Sequence, residues 1–327
     1  MKFPILALHI PDGFLNLPVS AVGWMLFILI LAYALRQTRQ QFGERQTPLM
    51  GILAAFVFAA QMLNFPVAGG TSGHLLGATL VAIFLGPWAM VIVMTAVIGI
   101  QSLLFQDGGL LAMGFNIVNM GIISGFVGYA AYSGLYKLLR ETPSAQLIAA
   151  GIGAWLAVVM PAIATAFQLA LSGTSSLAVA LPAMAGIHVL IGIGEALITV
   201  AALVFVRQTR PDLIEANAPT GYTGYRWAVA GLMIALLLTL ASPLANPNPD
   251  GLERVAEDNG FLEMAQDPAY TLLPDYTVPF IQSEIFTTIV AGIIGVLVVA
   301  GMSFGMAKLS EKKEIQVTDP TKHITSS

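Results

Sequence analysis

Asn64-Phe-Pro-Val-Ala-Gly-Gly-Thr-Ser-Gly-His74-Leu-Leu-Gly77 separates two long apolar segments with a glycine-rich break, and it carries one of the chain's four histidines. Within a bilayer, irregular backbone is tolerated only where protein buries it or where it lines a cavity. An ionisable side chain at that depth is kept for a function. A second histidine stands near the start, in Leu8-His9-Ile-Pro-Asp-Gly-Phe-Leu15. These two stretches predict a membrane protein in which His9 and His74 meet around a transition-metal ion.

Working outward, the whole chain has the composition of a membrane protein. Hydrophobic residues make up 57% and charged residues 10%, the latter against roughly 25% in soluble domains, and the mean hydropathy is +0.80. The expected fold class is an all-α membrane protein, a polytopic helical bundle with a Gly-rich loop at the metal site. A spanning helix needs about 20 mostly apolar residues. On that criterion about nine spans are expected, at 17–36, 49–64, 75–86, 87–105, 109–136, 146–171, 177–206, 227–243 and 284–307. The third is short and is divided from the fourth only by Gly86-Pro87, so it reads as a half-helix after the glycine-rich break.

Orientation follows from basic residues in short loops. Arg36, Arg39 and Arg45; Lys137 and Arg140; Arg207, Arg210 and Arg226; and Lys308, Lys312 and Lys313 all fall on one side of a nine-span arrangement. That side is read as cytoplasmic, which leaves the N-terminus outside and the C-terminus inside. Segment 244–283 then faces outward, with Asp250, Glu253, Glu257, Asp258, Glu263, Asp267 and Asp275 against the single Arg254. Its carboxylates either draw cations or form a solvated surface. The expected division is a metal-binding transmembrane domain over 8–210, a helix–acidic loop–helix unit over 225–310 and a polar tail over 311–327, expected to be disordered.

Several function classes lose support. There is no GxxxxGK[ST] loop to bind ATP phosphates, no HExxH, no nucleophile elbow, and no basic patch with aromatics for nucleic acid. The chain has no cysteine, so a metal must take nitrogen and oxygen donors. Imidazole suits nickel, cobalt, copper and zinc. Pro11 and Gly13 turn the chain after His9, and Asp12 is placed to cap or accept hydrogen bonds. Each histidine also has a plainer reading, an imidazole satisfied by carbonyls at the membrane interface.

His188 and Glu195 lie two helical turns apart and share a face. They form either a buried polar network or a contact that changes during transport. Gln61, Asn64, Gln101, Asn116 and Asn119 read first as interhelical hydrogen-bonders, and Asn64 also as a partner that orients a metal-bound imidazole. The Gly73/Gly77, Gly121/Gly125 and Gly301/Gly305 spacings permit close helix contact. The methionines do not cluster and read as packing.

His9-Ile-Pro-Asp-Gly-Phe-Leu15, Asn64 to Gly77, Gln101-Ser-Leu-Leu-Phe-Gln-Asp-Gly-Gly109 and His188-Val-Leu-Ile-Gly-Ile-Gly-Glu195 resemble the CbiM/NikM substrate-binding subunits of energy-coupling factor transporters for cobalt and nickel. Asn248-Pro-Asp-Gly-Leu-Glu253 is similar to the PDGLE domain, which stands in for the CbiN/NikN-type component. The resemblance implies a capture subunit for Ni2+ or Co2+ in the prokaryotic cytoplasmic membrane, itself no enzyme. A CbiQ/NikQ-type coupling subunit and CbiO/NikO-type ATPases would supply the energy. It also implies a metal site of four nitrogens: a terminal amine, the His9 amide and imidazole, and the His74 imidazole. This chain departs from that pattern, because Leu8 stands where the initiator methionine is expected, with seven residues before it. Processing after Ala7, a true start at position 8, or a site built from side chains alone each accommodate the difference; the expectation is a mature chain beginning at Leu8. Ligands must shed protons to bind, so affinity is expected to weaken in acid. The alternatives are a stand-alone proton-coupled permease using His188 and Glu195, and a vitamin-type subunit with a larger apolar pocket.

Overall fold

The computed structural model describes residues 9–39, 46–213 and 226–310. The expected positions of Leu8, Arg45, Lys312, Lys313 and the tail over 311–327 lie outside them. Eight helices of eight residues or more run up to residue 239 in chain order: α1 (Leu17–Thr38), α2 (Gln46–Gln61), α3 (Ala78–Leu85), α4 (Pro87–Leu104), α5 (Met113–Leu138), α6 (Pro143–Ser172), α7 (Leu177–Thr209) and α8 (Arg226–Thr239). They are followed by α9 (Gly251–Asp258) and α10 (Glu284–Ser310). Between α2 and α3, β1 (Phe65–Val67) pairs antiparallel with β2 (Thr71–Gly73), Phe65 opposite Gly73.

Among the described residues six helices, α1, α4, α5, α6, α7 and α10, are long and apolar enough to cross a membrane. The other three of the nine expected segments, α2, α3 and α8, fall short of that length. Helices α2 and α8 are apolar but have 16 and 14 residues, and α3 has eight, about 12 Å against a hydrocarbon core of about 30 Å. Apolarity in α2 and α3 reflects burial in protein: Ala54, Ala55, Val57, Phe58, Val81 and Ala82 are fully enclosed. The chain is a multi-pass helical membrane protein. Its centre is α4 and α5, each 72% buried along its apolar window, while α1 at 22% and α7 at 28% turn most of theirs outward.

Local sequence explains the helix ends. Asn16 starts α1 by accepting the Val19 amide at 3.0 Å, and Thr142 does the same for Ala145 at the head of α6. Asp250 and Glu253 form a reciprocal capping box on α9, at 2.8 and 2.9 Å, which satisfies two otherwise orphaned amides. Residues 117–123 of α5 widen into a π-helical turn. Such turns are rare and favour functional sites; here Asn116 directly precedes it and Asn119 lies within it.

Small residues permit a close backbone approach between α1 and α5. A Cβ on Gly114 would collide with the main chain of Trp24 and lie 2.6 Å from the Gly23 carbonyl carbon. Backbone cannot yield as a side-chain tip can. We expect Gly114→Ala to destabilise the protein by about 1–3 kcal/mol through overpacking. Thermal unfolding in detergent checks this; an unshifted midpoint would show that the crossing is looser than described.

Candidate functional site

The glycine-rich break is a non-helical segment whose far end is held by buried polar side chains. It runs from the end of α2 through the hairpin to irregular residues 74–77, and then into the half-length α3. The Gln101 amide donates to Gln61 Oε1 at 2.8 Å, and the Gln61 amide to the Leu76 carbonyl at 2.9 Å. The Leu76 and Gly77 amides donate to the two Glu195 oxygens at 2.6 and 2.9 Å. Gln61, Gln101 and Glu195 are fully buried. This is how non-helical backbone survives where water is scarce. Glu195 is therefore an anchor for the segment that carries His74, the network reading of the two offered by sequence. Asn64 is not part of it: its carbonyl accepts the Asn246 amide and its Oδ1 is buried without a partner. No contact from Asn64 to an imidazole is seen among the described residues.

The N-terminal loop is pinned to the same end of the bundle. Asn116 brackets Ile10, accepting its amide and donating to its carbonyl, both at 3.0 Å. Asp12 accepts the amides of Leu110, Leu111 and Ala112 at 3.0, 2.8 and 3.1 Å. It thereby caps the approach to α5, the role its turn position suggested. Between them lies the tight turn Gln106-Asp107-Gly108. Gly108 has φ +98°, and a Cβ there would lie 2.8 Å from the His9 Cβ, so glycine is required on both counts.

His9 is 2% exposed. Its Nδ1 lies 2.6 Å from Asp107 Oδ1, and the Tyr276 hydroxyl donates to Asp107 Oδ2 at 2.6 Å. Burial alone would raise the Asp107 carboxyl. The facing His9 imidazole, by charge and hydrogen bond, and the Tyr276 hydroxyl outweigh it and hold the carboxyl below its ordinary value. Tyr276 is pushed well above the usual phenol value by burial and by the Asp107 charge, so it remains a proton donor.

His74 Nδ1 is 3.0 Å from the Leu75 carbonyl and His188 Nδ1 is 2.7 Å from the Met184 carbonyl. A carbonyl can only accept, so Nδ1 carries the proton in both, and each neutral ring presents a lone pair on Nε2. His9 likewise turns Nδ1 to an acceptor, the Asp107 carboxylate, and its buried Nε2 has no hydrogen-bond partner. His9, His74 and His188 line one cavity of about 80 Å³, with Asn116, Asp250 and Gly251 among its other walls. The His9 and His74 rings have centroids 6.3 Å apart, tilted by 39°. Two imidazoles on one ion, at metal–nitrogen distances near 2.0–2.1 Å, would place their centroids about 4.5 Å (cis) to about 6.4 Å (trans) apart, so the pair is at a compatible spacing. Among the described residues no cluster of three or more His, Asp or Glu side chains is arranged to hold a metal. His188 borders the cavity without completing such a set.

The C-terminal unit closes this end. Ser72 donates its amide to the Pro249 carbonyl and its hydroxyl to the Asn248 carbonyl, each at 2.8 Å. The Gln266 amide reaches the Asp12 carbonyl at 2.8 Å, and those of Leu273 and Asp275 reach the Leu104 and Phe105 carbonyls at 3.1 Å. Of the acidic segment, Asp250 alone is buried and borders the cavity. Glu257 and Asp258 instead pair with Arg254 on the exposed face of α9. Asp107, Asp250 and Tyr276 were not singled out by sequence. The capping-box spacing Asp-x-x-Glu was a signal for Asp250, but nothing local announces a contact made across 98 or 169 residues.

Fold and cavity together define a polytopic helical membrane protein with a small imidazole-lined chamber at one end. Comparison with known proteins takes this further. Residues 9–213 match the family described as CbiM, cobalt uptake substrate-specific transmembrane region, and residues 225–312 match the PDGLE domain. A relative in Archaeoglobus fulgidus, named for fused nickel transport (NikMN), is 36% identical over 92% of this chain and 98% of its own length. The cobalt transport protein CbiM of Acetohalobium arabaticum is 33% identical over 52% of this chain and 68% of its own. A crystal structure described as a truncated transition metal transporter superposes with a TM-score of 0.56 at 37% identity, covering 62% of this chain and 99% of that one. The chain belongs to the CbiM family of cobalt and nickel transport proteins and carries a C-terminal PDGLE domain.

Proposed function

We propose that this protein is the substrate-capture subunit of an ATP-driven energy-coupling factor importer for Ni2+ or Co2+. It takes the ion between the imidazoles of His9 and His74. The observation that carries this is the buried Nε2 of His9, which has no partner and sits in a cavity that His74 also lines. An orphaned nitrogen in such a place would be costly to retain without a ligand. The functional domains are read as 8–210 and 225–310, with a tail over 311–327. Energy would come from CbiQ/NikQ-type and CbiO/NikO-type partners. The hairpin end is assigned to the outside of the cytoplasmic membrane. Helices α1, α5, α7 and α10 carry Arg36, Lys137, Arg207 and Lys308 in their last turns, which suits a positive inner face.

The remaining donors would be main-chain nitrogens at Leu8–His9 or water. A chelate from the His9 amide to its own ring closes a six-membered ring through Nδ1, and Nδ1 here faces Asp107. The four-nitrogen set implied by the resemblance therefore requires the His9 ring to turn and break that bond. In the orientation described, His9 offers Nε2. The relatives that share the fused architecture, in Archaeoglobus fulgidus, Lactiplantibacillus plantarum and Rhodobacter capsulatus, are named for nickel, which favours nickel as cargo.

Two other readings fare worse. A proton-coupled permease would use His188 against Glu195, yet both Glu195 oxygens are taken by the Leu76 and Gly77 amides. A vitamin would need a pocket of about 300 Å³ or more, against a cavity of about 80 Å³. The test is elemental analysis of the purified protein with nickel–cobalt competition, together with its intact mass. We expect one nickel per chain and a mass beginning at Leu8. Metal-free protein that takes up neither ion would end the proposal, and metal-bound protein retaining Met1 would remove the terminal-amine ligand.

A further inference from the structure

We propose that Asp250, in the C-terminal PDGLE domain, is the charge complement of the captured cation: its carboxylate forms part of the wall of the ion chamber and draws the divalent ion in without ligating it. This rests on the functional reading above. It needs only that the ion occupies the chamber, whichever nitrogens hold it there.

Asp250 is 5% exposed and lines the same cavity as His9, His74 and His188. Among the described residues no Lys or Arg lines that cavity. Arg254, the basic residue of the acidic segment, instead pairs with Glu257 and Asp258 on the exposed face of α9. A buried carboxylate without a cationic partner is costly. Burial pushes the Asp250 carboxyl above its ordinary range, and the Glu253 amide, the His9 ring and the Leu252 amide pull it back only in part. Asp107, held on His9, adds to the negative field. What the chamber lacks is positive charge, and a divalent ion supplies it. Clefts lined by one sign of charge, with low-dielectric walls, raise the local concentration of the opposite ion by about 10–10³-fold. No three His, Asp or Glu side chains among the described residues are arranged to hold one ion, so Asp250 acts across the chamber by its charge and not as a ligand.

Local structure fixes the carboxylate in place. Asp250 caps α9: its Oδ1 accepts the Glu253 amide at 2.8 Å, and its own amide donates to Glu253 Oε2 at 2.9 Å. The two residues before it are tied to the hairpin by Ser72, whose amide donates to the Pro249 carbonyl and whose hydroxyl donates to the Asn248 carbonyl. The residue after it, Gly251, seats against α7. A Cβ there would lie 2.7 Å from His188 Cε1 and 2.8 Å from Ile191 Cδ1, so glycine lets the head of α9 come this close to the chamber. An N-cap needs only a side-chain acceptor, which Asn or Ser supplies as well as Asp. The cap therefore accounts for an oxygen at position 250 and leaves its charge unexplained. An imidazole-lined chamber that takes a divalent cation gives that charge a use.

The experiment is nickel binding by calorimetry on the full chain, with thermal unfolding of the same preparations, comparing the unsubstituted protein with Asp250→Asn and Glu253→Gln. Asparagine keeps the cap and removes the charge. The unfolding midpoint should stay where it is while nickel affinity falls by about tenfold or more. Glutamine at 253 preserves the capping box and changes a side chain that does not line the cavity, so affinity should hold. Unchanged affinity in Asp250→Asn would overturn the proposal. So would an equal loss in Glu253→Gln, which would assign the attraction to the acidic segment as a whole. A loss that comes with a lower midpoint would overturn it too, because it would make Asp250 a structural cap alone. Each of these results leaves the capture function standing; only failure of the unsubstituted chain to bind nickel would remove both.

Discussion

Substitution of His74 by alanine is expected to abolish high-affinity nickel binding while leaving expression and thermal stability close to those of the unsubstituted protein. The reason is the division of labour at the cavity. His9 is buried and locked by Asp107, so alone it offers one nitrogen. His74 is half-buried at the exit of β2 and donates from Nδ1 to its neighbour's carbonyl. Removing it takes away one of two imidazoles and disturbs little packing. Outer partners of metal ligands are worth about 10–100-fold in affinity, and loss of a ligand itself should exceed about 100-fold. Calorimetry with nickel on protein in detergent or nanodiscs reads this directly. His188→Ala serves as the contrast: His188 borders the same cavity but is tied to Met184 on its own helix, and its loss should weaken binding far less. If His74→Ala binds nickel as the unsubstituted chain does, the site is elsewhere.

Some of this arrangement was legible in the sequence because it is local. The half-helix after the break announced itself by Gly86-Pro87, and α3 does end at Leu85. The shared face of His188 and Glu195 followed from helical periodicity. Six of the nine expected spans correspond to helices of full spanning length, while α2, α3 and α8 are shorter, a difference that apolar composition alone does not announce. The hairpin was read as irregular loop; Gly69 and Gly70 both adopt left-handed backbone and let Phe65 and Gly73 pair across the turn. The hardest part to read was what each polar residue holds. Asp107 looked like a turn residue between two spans and proves to be the partner of His9. The acidic segment reads either as cation-drawing or as a solvated surface, and neither reading separates out Asp250 and Tyr276, which face inward because the fold returns the C-terminal unit to the N-terminal loop.

Glu195 shows what that return depends on, and its removal should have the largest effect on stability. In Glu195→Ala the amides of Leu76 and Gly77 lose both acceptors in a fully buried place. An unsatisfied buried donor costs about 1–3 kcal/mol, so two give a loss of about 2–6 kcal/mol if nothing relaxes. The backbone that loses its anchor lies two and three residues after His74, so nickel affinity should fall together with the unfolding midpoint. Glutamine keeps one acceptor oxygen and turns an NH2 group toward the other amide, and Glu195→Gln should recover part of the stability. This order separates an anchor from a proton carrier. A proton-coupled role would leave Glu195→Gln stable and nickel-binding but unable to transport, whereas an anchor predicts that stability and binding decline together, alanine more than glutamine. Thermal unfolding and calorimetry on the same two preparations decide between them, and a fully stable Glu195→Ala protein would mean that the glycine-rich segment is held by something other than this carboxylate.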